Sequence, residues 1–394
     1  MSRVRTLGFV LAIVVLIAGL SACDQLLQIL SDDEMTGAEV PQFTDLSGDI
    51  SVGVVLPLSG RLVSSFGTPM DRGLQLAVEE INNGQRGDAR IRFVVEDDMS
   101  TVDGAVSAFE KFIHQDGLTV ILGPANSAMT REAFPIAQQN SVLAVSPTSA
   151  ARGLSALGDY VFRVSLATDV LIPNGVDATH AKLGYERAAT MYDKADPFSV
   201  DSENALQEAL AANEVDVLET VTFEGGDSDF SEQLTRILQV NPQIVFVSSA
   251  PPDKSEILIQ AREIGIPTTI PIVLRTLTAS DVEVAGSAAE GAMTFTEWAN
   301  ASDKPRNQVF VQKYKAKYKI EPTNYAARAY GALYVLAEAI ANAGSADASE
   351  IRDALANITD LDTIFGGFSF NEVGDAVYDP IVLVVENGEL KIFE

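Results

Sequence analysis

The sequence predicts an α/β protein built as two doubly wound parallel-sheet lobes. Three observations carry that reading. From Ile50 onward, short β-branched runs alternate with longer segments of helical period. The short runs are apolar almost throughout, as strands covered on both faces must be. Residues 49–394 are too many for one typical domain and suit two.

Taken in order, strands are expected at Ile50–Leu56, Ile91–Glu96, Val120–Leu122, Val142–Val145, Ala188–Tyr192, Val215–Thr222, Ile244–Val247, Ile270–Leu274 and Gly291–Thr294. Between and after them, helices are expected at Pro69–Asn82, Val102–Gln115, Ala128–Gln139, Val170–Leu183, Phe198–Ala212, Phe230–Gln239, Lys254–Ile264, Arg306–Tyr318 and Ala326–Ala343. Gly84, Gly117, Gly184 and Gly265 stand where a helix-closing glycine belongs. The tail changes character. Ile364–Phe370, Ile381–Glu386 and Leu390–Phe393 read as antiparallel strands, the last two around an Asn387-Gly388 turn, forming a C-terminal β appendage. Ligands of doubly wound sheets sit beyond the carboxyl ends of the strands.

The N-terminal end reads as an export signal: Arg3 and Arg5, an apolar run over Leu7–Leu20, then Ser21, Ala22 and Cys23. Fourteen apolar residues are too few to span a bilayer, which needs about 20. Leu20-Ser-Ala-Cys23 resembles the bacterial lipobox, which implies cleavage after residue 22 and lipidation of Cys23, the only cysteine in the chain. Residues 23–48 then read as a tether, of about 25–30 Å root-mean-square span if flexible. Without residues 1–22 the chain carries 25 basic and 55 acidic residues, a net of −30. That balance excludes nucleic acid, whose phosphates need a Lys/Arg surface, and electrostatic docking on anionic lipid. Two His and one Cys leave no inventory for His/Cys metal sites or Cys-His catalysis; no metal and no cofactor are expected. Dinucleotide, phosphate-loop, nucleophile-elbow and zinc-protease motifs are all missing.

Ile50-Ser-Val-Gly-Val-Val-Leu-Pro-Leu-Ser-Gly60, Phe66-Gly67 and Gly73-Leu-Gln-Leu-Ala-Val-Glu-Glu-Ile-Asn82 together resemble the opening of the branched-chain amino-acid binding proteins, type I periplasmic binding proteins that feed ABC importers. The resemblance continues through Val94-Val-Glu-Asp-Asp98, Ile121-Leu-Gly-Pro124 with Ser127, Val145-Ser-Pro-Thr-Ser149, Ile257–Gly265, Ala289-Glu-Gly291 and Phe368-Ser-Phe-Asn with Gly374-Asp375. It covers 49–394. It implies three crossovers between lobes, near Val164–Thr168, Phe295–Ala299 and Asp362–Gly366, so that lobe one is 49–166 with 299–362 and lobe two is 167–298 with 363–394. Closure on a small molecule contacted by both lobes is the implied mechanism.

The resemblance also implies site residues. Ser127, at a helix start, matches the serine that binds a ligand carboxylate; the alternative is that it caps the helix. Thr148 and Ser149 lie in the loop that supplies a carbonyl and a hydroxyl, with Ala150 where a threonine is expected. Phe66, Phe198 and Tyr325 match cleft-wall aromatics, the alternative being that they pack in the core; another such aromatic is replaced by Ala250. Trp298 either packs the hinge, the favoured reading, or covers the ligand. Members that bind α-amino acids place an acid after the strand near Leu274; this chain has Arg275 there, which favours an anion or a carbonyl-rich ligand unless it is a surface residue. Asp196, Asp253 and Glu297 are the remaining candidates to partner a cation. Asp97 and Asp98 are adjacent on a strand, point to opposite faces and do not converge as a catalytic pair. His114 and His180 read as helix-dipole partners or surface residues.

The expected function is therefore a non-enzymatic, lipid-anchored solute-binding protein outside the cytoplasm, monomeric, taking a small amino-acid-like or amide-like ligand for an ABC permease. The alternative is a ligand-sensing lipoprotein that signals to a membrane partner and imports nothing.

Overall fold

Five parallel strands make the first sheet, in the order β2-β1-β3-β4-β5: β1 (Asp49–Leu56), β2 (Arg90–Asp97), β3 (Val120–Leu122), β4 (Leu143–Ser146) and β5 (Val161–Arg163). The second sheet runs β15-β14-β10-β9-β8-β6-β7. Its parallel members are β6 (Arg187–Asp193), β7 (Asp216–Phe223), β8 (Ile244–Ser248), β9 (Ile272–Leu274) and β10 (Met293–Thr296); β14 (Ile381–Glu386) and β15 (Glu389–Ile392) are antiparallel. A small antiparallel sheet joins β11 (Leu361–Thr363), β12 (Gly366–Phe370) and β13 (Ala376–Val377). This is a computed structural model describing residues 40–249, 253–275 and 277–393. The signal segment 1–22, Cys23, tether residues 24–39 and Ala250 lie outside the described residues.

Helices α1 (Thr68–Gly84), α2 (Val102–His114) and α3 (Ser127–Gln139) connect the strands of the first sheet. In the second, α4 (Thr168–Leu183), α5 (Pro197–Ala212), α6 (Ser231–Gln239), α7 (Lys254–Ile264) and α8 (Ala279–Ala285) play the same part. The chain then returns to the first lobe with α9 (Pro305–Tyr318), α10 (Asn324–Ala343) and α11 (Ala348–Ala356). The fold class read from the sequence, two doubly wound lobes with three crossings between them, is what the chain adopts. The alternation of apolar strand and amphipathic helix dictates it: β1 buries Val52, Val54, Val55 and Leu56, side chains on both faces of the strand, so helices must cover both.

Packing explains two sequence signals. α10 lies along α1, and an ideal Cβ at Gly73 would stand 2.2 Å from the carbonyl oxygen of Ala326, so only glycine admits the close helix pair. A single wide turn over Val63–Gly67 precedes α1, and a Cβ at Gly67 would stand 1.9 Å from the carbonyl oxygen of Pro57. That contact fixes the position of Phe66.

Several elements differ from expectation. The tether does not run to 48: residues 40–48 dock on the first lobe, where Phe43 is buried and Gln85 both accepts from the Phe43 amide (2.8 Å) and donates to the Pro41 carbonyl (2.6 Å). Gly84 is the last helical residue, not a left-handed cap; its missing Cβ admits the side chain of Val40. Gly184 and Gly265 do close α4 and α7 in the left-handed conformation. The C-terminal strands are not one appendage. β14 and β15 extend the second sheet antiparallel to β10. β11 to β13 stand apart, with Phe370 against Phe162, Phe368 against Phe370, and an ion pair between Asp375 and Arg163 at 2.6 Å. The chain enters the second sheet only with β14, after Phe370 of β12 has packed against Phe162 of β5.

Candidate functional site

Both large sheets turn their strand ends toward one cavity. In the first sheet the chain order reverses at β1/β3, and in the second at β6/β8, and such switch points open a crevice at the strand carboxyl ends. The cavity holds about 40 Å³ in this conformation. Its first wall comes from segments after β1, β3 and β4 and from α10: Phe66, Asn126, Ser127, Thr148, Ala150, Tyr325 and Arg328. Its second wall comes from segments after β6, β8 and β9: Phe198, Ser249, Lys254 and Arg275.

Six of the seven residues expected from the sequence, Ser127, Thr148, Phe66, Phe198, Tyr325 and Arg275, line this cavity. Ser149 does not. Its hydroxyl is buried against Thr130 of α3 at 2.6 Å, on the packing side of its loop. Ser127 is not the helix cap; Asn126 is, accepting from the Ala128 amide at 2.8 Å. The Ser127 oxygen accepts from the Ala150 and Ala151 amides, both at 3.2 Å, which orients its own proton for donation elsewhere. Thr148 donates to the Ala125 carbonyl at 2.6 Å and so pins the β4 loop to the segment that leads into α3. The rings of Phe66 and Tyr325 stand 4.3 Å apart.

The electrostatics are unusual for so acidic a chain. Lys254, Arg275 and Arg328 are each at most 5 % exposed and all line the cavity, whereas no Asp or Glu is among the described lining residues. Behind them, Glu297, 1 % exposed, accepts from Arg275 (3.1 Å), Arg328 (3.3 Å) and the Ser165 hydroxyl (2.9 Å). Burial alone would raise the Glu297 carboxyl, but Arg328 and Arg275 hold it below the ordinary glutamate value. Burial pulls Arg275 below the usual arginine value, and Lys254 is lowered to about 8 by the same cause. The guanidinium of Arg275 lies over the Phe198 ring at 5.0 Å and that of Arg328 over Tyr325 at 4.9 Å. Nε and Nη1 of Arg275, Nε of Arg328 and the Ser249 hydroxyl are buried without a hydrogen-bond partner among the described residues.

The other candidates take structural duties. Asp196 caps α5, accepting from the Ser199 amide at 2.9 Å. Trp298 packs edge-on against Phe310 and donates to Asn307, outside the cavity lining. Asp97 accepts from the Leu58, Ser59 and Met99 amides, while Asp98 accepts from the Ser100 amide. Sequence reasoning missed Lys254, Arg328 and Ser249. Arg328 had a signal, a lone charge inside the apolar run Ala326-Ala-Arg-Ala329; Lys254, at a helix start, had none.

A chain whose two sheets aim the ends of their parallel strands at one cavity belongs to the class of solute-trapping proteins. The family profile for periplasmic binding proteins matches residues 49–389, and the chain is a member of that family, a solute-binding protein and not an enzyme. It is similar to the Leu/Ile/Val-binding protein BraC3 of Rhizobium johnstonii, 28 % identical over 83 % of this chain and 89 % of that one. It is also similar to the Leu/Ile/Val-binding protein of Escherichia coli K12, 27 % identical over 84 % and 89 %. Among solved structures, the leucine-binding protein LivK of Thermotoga maritima superposes with a TM-score of 0.81 at 28 % identity, over 88 % of this chain and 98 % of that one. LivJ of Streptococcus pneumoniae, in complex with isoleucine, gives 0.79 at 26 %, over 88 % and 99 %. Among the described residues no helix is long and apolar enough to cross a membrane.

Proposed function

We propose that this protein captures a small polar solute bearing a carboxylate outside the cytoplasm, held to the membrane through a lipidated Cys23, and delivers it as a monomer to an ABC importer. Of the two ligand classes expected from the sequence, the amino-acid-like one is favoured over the amide-like one by its carboxylate. The observation that carries this reading is the opposition of Ser127, at the positive end of α3, to Arg275 and Phe198 on the other lobe. A solute that touches both walls does so only when they are shut, and that differential contact is what drives closure. The relatives' names record binding of branched-chain amino acids, and LivJ, a substrate-binding protein of a branched-chain amino acid transporter, supports the importer role.

A thermal-shift screen over amino acids, small carboxylates and amides tests it. A binder at 100 times its Kd adds about 2.7 kcal/mol of stability. Ser127→Ala and Phe66→Ala reduce the shift, and X-ray scattering shows contraction on binding. A screen in which no carboxylate gives a shift, or an amide gives the largest, overturns the proposal. Detergent partitioning of the exported chain, lost in Cys23→Ser, tests the anchor.

A further inference from the structure

With the solute's carboxylate on Ser127 in the first lobe, its far end meets the second wall. The walls offer an aliphatic group little bare surface there. The guanidinium of Arg275 lies over the Phe198 ring at 5.0 Å, and that of Arg328 lies over Tyr325 at 4.9 Å. What the second wall does offer is hydrogen-bonding capacity. Ser249 is the first residue past the carboxyl end of β8, beside the β6/β8 switch point. It is 1 % exposed and lines the cavity, and its hydroxyl is buried without a hydrogen-bond partner among the described residues. Val247 of β8 pairs with Leu274 of β9, so Ser249 and Arg275 leave neighbouring strand ends.

The hydrogen bonds of Arg275 and Arg328 run to Glu297, the Ser165 hydroxyl and the Thr148 carbonyl, and they hold the two guanidinium groups in the walls. Nε and Nη1 of Arg275 have no partner among the described residues. A guanidinium nitrogen only donates, whereas a hydroxyl donates or accepts. An oxygen atom on the solute therefore complements both Ser249 and Arg275. A methyl group in its place leaves these polar atoms buried and unsatisfied, which is how a polar site rejects an apolar isostere. We propose that Ser249 determines specificity: its hydroxyl hydrogen-bonds an oxygen on the side chain of an amino-acid-like solute. It thereby selects hydroxyl- or carbonyl-bearing side chains over aliphatic ones of the same shape. The first lobe holds the carboxylate common to the class, and the second lobe chooses within it.

This inference rests on the solute-binding reading above, and its test separates the two. Calorimetric titration of the mature chain compares isosteric pairs: threonine with valine, serine with 2-aminobutyrate, and asparagine with leucine. In at least one pair the oxygenated member is expected to bind about 10–100-fold tighter than its aliphatic partner. In Ser249→Ala that ratio falls toward one through weaker binding of the oxygenated member alone, and Ser249→Thr restores part of it. A merely structural role for Ser249 would weaken both members alike and leave the ratio unchanged. Aliphatic members binding tighter in every pair, or a ratio untouched by Ser249→Ala, overturns the assignment and leaves solute binding standing. No binding by any member also overturns it, and the carboxylate screen with scattering then decides the broader reading by itself.

Discussion

Arg152 of the first lobe grips Asp201 of α5 in the second: Nε stands 2.6 Å from one carboxylate oxygen and the Arg152 amide donates to the other at 2.7 Å. Thr168 donates to the same carboxylate, and Glu208 adds a second, looser partner for Arg152 at 3.3 Å. None of the four lines the ligand cavity, so this bond favours the shut form whether or not a solute is present.

Asp201→Ala is therefore expected to shift the empty protein toward open forms. A half-buried charged bond contributes about 0.5–1.5 kcal/mol, so closed-state population and solute affinity should fall about 2–10-fold together. Scattering of the empty protein beside calorimetry checks it. An unchanged radius of gyration with unchanged affinity would show that the bond has no part in closure.

Glu297→Gln leaves Arg275 and Arg328 buried against each other without their counter-ion. Removing one member of a buried ion cluster costs about 3–5 kcal/mol, read as a lowered melting temperature in the empty protein. An anionic solute should recover more stability in this variant than in the parent, because it takes over the missing negative charge. Equal ligand-induced shifts in both would contradict the arrangement.

Solute affinity should depend on pH through Lys254. Its folded value, lowered to about 8 by burial, lies under the value of about 10.4 for an unfolded lysine. Between these values the unfolded chain holds more protons than the folded one, so this residue's contribution to stability rises with pH across that window. Anion binding runs the other way. Affinity for a carboxylate is flat from pH 6 to 7 and declines above pH 8, by at most about tenfold per pH unit. Titrations from pH 6 to 9.5 check it, and Lys254→Met should flatten the profile.

Asp98 offers a stability test remote from the cavity. Burial raises its carboxyl to about 6, against about 3.9 in the unfolded chain. The stability associated with it is present below the unfolded value and lost as pH rises through 6, where a buried charge must form. Asp98→Asn keeps an acceptor for the Ser100 amide and should stabilise the protein by about 1–3 kcal/mol at pH 8, and not at pH 4. Denaturant unfolding at the two pH values decides it.

How far this could be read beforehand depended on period and length. Strands such as Ile244–Ser248 and helices such as Lys254–Ile264 carry enough apolar repeats to declare themselves. β5 is three residues long and ends in Arg163, whose charge argues against a strand until Asp375, 212 positions later in the chain, arrives to pair with it. α8 and α11 are too short to show a period, although the Thr278–Asp281 box and the Asp347 cap mark their starts. Phe43 looked like part of a polar tether because its partners are supplied by the rest of the lobe. In the cavity, residues adjoining a recognisable loop were legible. Lys254 was not, and Arg328 showed only as a lone charge in an apolar run, because only tertiary packing brings them beside Arg275.

Glu297 has a further consequence. It follows β10 at the second passage between the lobes, and it holds Ser165, at the first, with one oxygen that also holds Arg275. Tyr378, at the third, donates to the Val164 carbonyl one residue away from Ser165, at 2.9 Å. Ligand choice and flexural stiffness are thus inherited as one trait. A descendant that replaced Arg275 with a neutral side chain would release part of the hold on Glu297, loosen the axle, and in the same step acquire an acid to greet an amine.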